Sequence, residues 1–165
     1  LSAHSADGQW VIPSSSSRDL AELAETLAAE RNVLDYLVFK LVEARLVLIA
    51  DEARFIPQAM AEVDAVIAQI RRGESHRQHA LVRLARHIGV PPDSLTLARL
   101  ADSAPEPYGL IFSDYQRQFY DLTTEIERLT HENRRLASQS VSSIRAALSA
   151  LIGPAGPVDV YTAAG

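Results

Sequence analysis

The sequence predicts an all-α protein, a coiled-coil-like bundle of about three long antiparallel helices and one short one. Three observations carry this expectation. Leu20, Leu27, Leu34, Leu41 and Leu48 form a strict seven-residue repeat, which keeps one stripe of a helix turned toward a partner helix. Two further runs share the period: Ile56, Val63 and Ile70, resumed at Leu84, and Tyr115, Leu122, Leu129 and Leu136. The 165 residues contain only 7 Gly and are rich in Ala and Leu, as long helices prefer. A chain of this length makes about one domain with a core of its own.

Composition narrows the function classes. A net charge of −5 disfavours general nucleic-acid binding, which wants a basic face to neutralise phosphates. With no Cys there is neither a disulfide nor a thiolate metal site, and a reducing, cytoplasmic setting is expected. No apolar run approaches the roughly 20 residues of a membrane span. The first twenty residues lack the basic start and apolar core of a signal peptide.

Residues 1–17 carry no periodicity and read as a flexible segment or linker. Pro13 and the Ser14 to Ser17 run are its loop signals. The island Trp10, Val11, Ile12 docks on the bundle or on a partner, or belongs to an unremarkable tail, and the tail reading is preferred. The bundle is expected over residues 18–152. Helix 1 spans Arg18 to Ala50, with Ser17 as N-cap and Asp19 and Glu22 in its positive first turn. Its second seam row is Leu23, Glu30, Leu37, Ala44. A turn near Asp51 leads to Pro57, which suits a first helical turn. Helix 2 then runs to Ile88, with a second row of Met60, Ile67, Glu74, Leu81 and Ile88. Its register continues through Gly73, so Gly73 is placed inside the helix, although a break there is the alternative. Gly89, followed by Pro91 and Pro92, stops it. Leu95, Leu97 and Leu100 predict a short helix capped by Ser94 or Thr96. Helix 3 spans Tyr108 to Ile152, with a second row of Phe119, Ile126, Asn133 and Ser140. After Leu136 its apolar row steps by four, a stutter that locally unwinds a supercoil. At 1.5 Å per residue this helix is about 65 Å long against about 50 Å for helix 1, so its end should project. Gly153, Pro154, Gly156 and Pro157 end it, leaving a tail over 153–165.

Four polar residues occupy seam positions: Glu30, Glu74, Arg77 and Asn133. In an antiparallel hairpin turning near residue 52, facing residues sum to about 104. Glu30 then faces Glu74 with Arg77 one turn away, and Arg77 is expected to bridge both carboxylates in one polar layer. Buried charge is costly unless paired, so such a layer serves as a register device, with a partner contact as the lesser alternative. Asn133, alone in its seam, has the same structural explanation.

No catalytic constellation is present. His4, His76, His79, His87 and His131 complete no metal or nucleophile motif. The di-iron Glu-x-x-His pairs are absent. His131-Glu132 does not extend to a zinc-protease motif, because position 135 is Arg. Nor is there a phosphate-binding glycine loop or a nucleophile elbow. No cofactor and no metal are expected, and the chain reads as a non-enzyme.

The order of features resembles the FlgN-type flagellar type III export chaperones, from about Leu20 to Ile152 and into the tail. After the leucine-heptad helix comes Glu74-Ser75-His76-Arg77, similar to the family's Glu-x-x-Arg, leading to Leu84-Ala85-Arg86-His87-Ile88-Gly89-Val90. Leu95-Thr96-Leu97-Ala98-Arg99-Leu100-Ala101 follows, with its proline-bearing turn. Leu129-Thr130-His131-Glu132-Asn133-Arg134-Arg135-Leu136 resembles the Asn-x-x-Leu region. The tail from Tyr161 to Gly165 resembles the Tyr-x-x-x-Gly ending. The family often has a second Asn three residues from Asn133, where this chain has Thr130 and Leu136.

The resemblance implies binding without turnover. Such chaperones hold hook-associated proteins of the hook–filament junction (FlgK and FlgL type) in the cytoplasm by a C-terminal amphipathic segment, and hand them to the flagellar export apparatus. The projecting end of helix 3 then offers Val141, Ile144, Leu148 and Leu151 as the client-binding stripe. An apolar stripe without an internal mate marks an interaction site, and a client-free chain is expected to form a homo-oligomer through it or to fold back. The competing reading is a structural coiled-coil subunit with a permanent protein partner.

Overall fold

The computed structural model describes residues 12–152, with the side chains of 151 and 152 outside the description. The element order is α1 (Ser17–Ile49), α2 (Ile56–Ile88), α3 (Leu97–Ser103) and α4 (Tyr108–Ile152), with short 3-10 turns at Ser14–Ser16, Ala53–Phe55 and Pro92–Ser94. The chain runs up through α1, down through α2, crosses the base through α3 and runs up again through α4. α1 is the central helix and packs along both α2 and α4, while α3 packs on α4.

The antiparallel register of α1 and α2 is fixed by four cross-helix contacts: His87 with Asp19, Arg83 with Glu22, Arg77 with Glu30 and Lys40 with Glu62. The facing residues of these pairs sum to between 102 and 107, as a hairpin turning near residue 52 requires. That turn places Asp51 at φ 54°, a left-handed conformation that Asp tolerates better than most residues with a Cβ. Gly73 lies within α2, which is continuous from Ile56 to Ile88. No atom outside the local helix backbone lies within 4 Å of where its Cβ would stand. Gly73→Ala should therefore stabilise the chain by about 0.5–1 kcal/mol through helix propensity, read as a higher melting temperature; an unchanged or lower one would contradict the uninterrupted helix. Gly89 ends α2 at φ 75°, the left-handed C-terminal stop that only glycine adopts without strain.

The seam rows bury two clusters. At the base, Leu20, Leu23 and Leu27 of α1 meet Leu81, Leu84 and Ile88 of α2, Leu100 of α3 and Phe112 of α4. Higher up, Leu37, Leu41 and Ala44 meet Val63, Val66 and Leu129. Between them Leu34, although in the heptad row, is only half-buried and lines a cavity beside Glu30 and Arg77.

Local details depart from expectation at both ends of the base. α1 begins at Ser17, so the N-cap is Ser16 and not Ser17, whose hydroxyl instead donates to the Ser14 carbonyl at 2.6 Å. The reason lies in the preceding residues: Ile12 is 2% exposed in the basal core, its N–H donates to the Ser103 carbonyl at 3.2 Å, and Ser16 is fully buried. The end of the segment read as a linker is thus docked on the bundle, while Trp10 and Val11 lie outside the described residues. Of the two candidate caps for α3, Thr96 holds the position: its hydroxyl accepts from the Arg99 N–H at 3.3 Å. Gly109, at the start of α4, permits close approach, since a Cβ there would stand 3.0 Å from the Ala101 carbonyl oxygen.

Candidate partner-binding site

α4 is 45 residues long and α1 33. They run parallel, since Ala28 and Arg31 stand beside Asp114 and Tyr115 while Leu48 and Ile49 stand beside Leu136 and Ser140, so α1 ends beside the residues near 140. At that end a groove of about 310 Å³ is lined by Leu48, Ile49, Leu136 and Ile144 among others. From Val141 to Ala150, including Ile144 at the groove, every residue is exposed. Val141 is 56%, Ile144 53% and Leu148 50% exposed, at spacings of three and four that put them on one side of the helix. Of Leu151 only the backbone, within α4, is described; Tyr161 and Gly165 lie outside the described residues.

A second concavity was not apparent in the sequence. α2 and α4 both pack on α1, but among the described residues no Cα of one comes within 8 Å of the other. The space between them holds a cavity of about 270 Å³. Its walls are Leu81 and Arg77 of α2 and Phe119 and Thr123 of α4, and its floor is Leu27, Glu30 and Leu34 of α1. Heptads show that helices meet, not which pairs do, so the open seam left no sequence signal.

The polar seam residues fall at two levels. Arg77 Nε lies 3.1 Å from Glu30 Oε2, and its guanidinium reaches Glu74 at 3.8 Å. Glu30 is well covered, with 13% of its side chain exposed, whereas Glu74 is 66% exposed and stands at the outer edge. Asn133 belongs to a different level, donating its amide to the Leu41 carbonyl at 2.9 Å. Among the described residues it is one of two buried polar residues, with Ser16, and it ties α4 to α1.

Burial raises the Glu30 carboxyl above its ordinary value of 4.5; Arg77 opposes the rise and Glu74 adds to it. An acid whose folded pKa is raised binds its proton more tightly folded than unfolded. Ionising it therefore costs stability as pH rises above 4.5, and the cost fades as pH falls back through the folded value. Glu30→Gln should accordingly be no less stable than the parent at pH 7, with the difference vanishing as pH falls to 4.5 and below. Arg77→Leu leaves Glu30 ionised without its counter-charge. Because Arg77 is itself about a third exposed, the expected loss at pH 7 is about 1–2 kcal/mol rather than the larger cost of breaking a fully buried pair. Paired melts from pH 7 down to below 4.5 check this, and a loss independent of pH across that range would contradict the assignment to Glu30.

No three His, Cys, Asp or Glu residues cluster at metal-binding distance among the described residues. His87 Nδ1 pairs with Asp19 at 2.7 Å and His79 Nδ1 with the Ser75 carbonyl at 2.6 Å, both tying helices or turns together. No described helix is long and apolar enough to cross a membrane.

The described residues thus form a helical bundle with an open seam between α2 and α4 and an apolar helix end that overhangs α1. The chain belongs to the FlgN protein family, whose model matches residues 19–165. This is a family of flagellar export chaperones and not of enzymes. No curated protein and no solved structure shows significant similarity to the chain.

Proposed function

We propose that this chain binds the C-terminal amphipathic segments of hook-associated proteins of the hook–filament junction, keeps them unassembled in the cytoplasm and delivers them to the flagellar type III export apparatus. The observation that carries the reading is the run of Val141, Ile144 and Leu148, each half or more exposed on an α4 end that overhangs α1. An amphipathic helix recognises such a stripe by anchors at matching spacings of three, four and seven. The groove at Ile49 and Ile144 and the α2–α4 cleft offer it two concave seats along the same helix. Leu151 would extend the stripe by one further turn, and the tail bearing Tyr161 and Gly165 follows it in sequence toward the delivery step.

Titration of the full chain with synthetic C-terminal segments of the same organism's hook-associated proteins tests this reading. Micromolar or tighter 1:1 binding is expected. Failure to bind any such segment, with tight fixed-stoichiometry capture of another helical protein, would favour the permanent structural subunit.

A further inference from the structure

The heptad row of α1 is covered at every position but one. Leu20, Leu27, Leu41 and Leu48 are buried, whereas Leu34 is only half-buried. Leu34 lies where α2 and α4 stand apart, on the floor of the 270 Å³ cleft. The floor that α1 presents there is Leu23, Leu27, Glu30 and Leu34, at spacings of four, three and four that put them on one face of the helix. A helix laid along the open seam, in the place of a fourth bundle member, therefore meets apolar residues on both sides of a single carboxylate.

That carboxylate lacks a donor. Glu30 Oε2 is buried and has no hydrogen-bond partner among the described residues; Arg77 Nε stands 3.1 Å away without the alignment of a hydrogen bond. A buried acceptor left unpaired costs stability. The charge is unbalanced as well. Glu30 and Glu74 carry two negative charges against the one positive charge of Arg77, and Glu74 is among the groups that push the Glu30 carboxyl up. An alignment device gains nothing from a missing donor and a surplus of negative charge, whereas a site for a cation needs both. Glu30 also borders the groove on the other side of the α1–α2 seam, but that groove already holds Arg72 and His76. In the α2–α4 cleft the walls are mostly apolar, and Arg77 is the one cation among the described lining residues.

We propose, resting on the reading that this chain binds hook-associated segments, that the α2–α4 cleft selects a basic residue of the segment. This residue is a Lys or Arg with apolar residues three or four positions away on each side; it bonds Glu30 while its neighbours cover Leu27 and Leu34. The level of Thr123 lies about 30 Å along α4 from Ile144, so one helical segment of about 20 residues reaches both the cleft and the overhanging end. Calorimetric titration of the full chain with hook-associated segments, each Lys and Arg replaced by Met in turn, tests this. One such replacement should weaken binding to the parent about 10-fold, and Glu30→Gln should weaken binding of the unaltered segment by a similar factor. The two changes together should cost no more than either alone. Because Glu30→Gln is expected to be no less stable than the parent at pH 7, its weaker binding is separable from a loss of fold by a melt. Thr123→Arg, at an exposed position on the cleft wall, supplies a cation from the chain itself and should also weaken binding about 10-fold. A parent that binds no segment would overturn the reading on which the proposal rests. A parent that binds, with Glu30→Gln binding equally well or with the two losses multiplying at every basic position, would overturn the cleft assignment alone.

Discussion

Leu148→Asp is expected to weaken binding of hook-associated segments by about 100-fold or more, because a central apolar anchor is replaced by a charge that the complex would have to desolvate. The substitution should leave the helix content and melting temperature of the free chain nearly unchanged, since Leu148 is 50% exposed and lies beyond the end of α1. That combination separates a docking residue from a packing residue. Calorimetric titration of parent and variant with the same segment reads the affinity, and far-ultraviolet circular dichroism reads the fold. Equal affinities would remove the overhanging stripe from the account of binding. A collapse of helicity would show instead that this end of α4 is held by contacts within the chain.

Phe112→Ala should have the opposite profile. The Phe112 side chain is fully buried among residues of α1, α2 and α3 in the basal cluster, and it is the point at which the start of α4 is fastened to the rest. Truncating a buried Phe costs about 3–5 kcal/mol through lost transfer energy and the cavity left behind. For a chain of this size that corresponds to a fall in Tm of roughly 10 °C. The client end of α4 is distant, so below its lowered Tm the variant should bind a hook-associated segment with the parent's affinity. A fall of only a degree or two would mean that the base of the bundle is not the cooperative core described above.

The long helices were legible because their rows repeat over many turns. Leu20, Leu27, Leu41 and Leu48 recur at the heptad period and all four are buried. The continuous register through Gly73 also gave the continuity of α2. Short-range features were less legible. Ser16 rather than Ser17 flanks α1, and Ile12 docks, because three apolar residues beside a serine run carry too little pattern to outweigh a loop reading. In the seam, arithmetic on the hairpin set Glu30 facing Glu74 with Arg77 one turn away, whereas Arg77 itself stands against Glu30 at 3.1 Å and Glu74 leans into water. Two surfaces needed three dimensions. The α2–α4 cleft depends on how far apart two helices stand on a third. The exposed face of Tyr36, Phe39, Val42, Leu46 and Ile49 lies outside the two seam rows of α1, and the heptad pattern does not say whether a third row is covered.

The central claim is that this chain holds hook-associated segments with the overhanging end of α4. The most direct test is calorimetric titration of one such segment into the full chain and into a chain truncated after Ala137. Micromolar or tighter 1:1 binding by the full chain is expected, lost in the truncated one, with the helices below residue 137 still folded. Undiminished binding by the truncated chain would contradict it and move the site to the cleft or to α1.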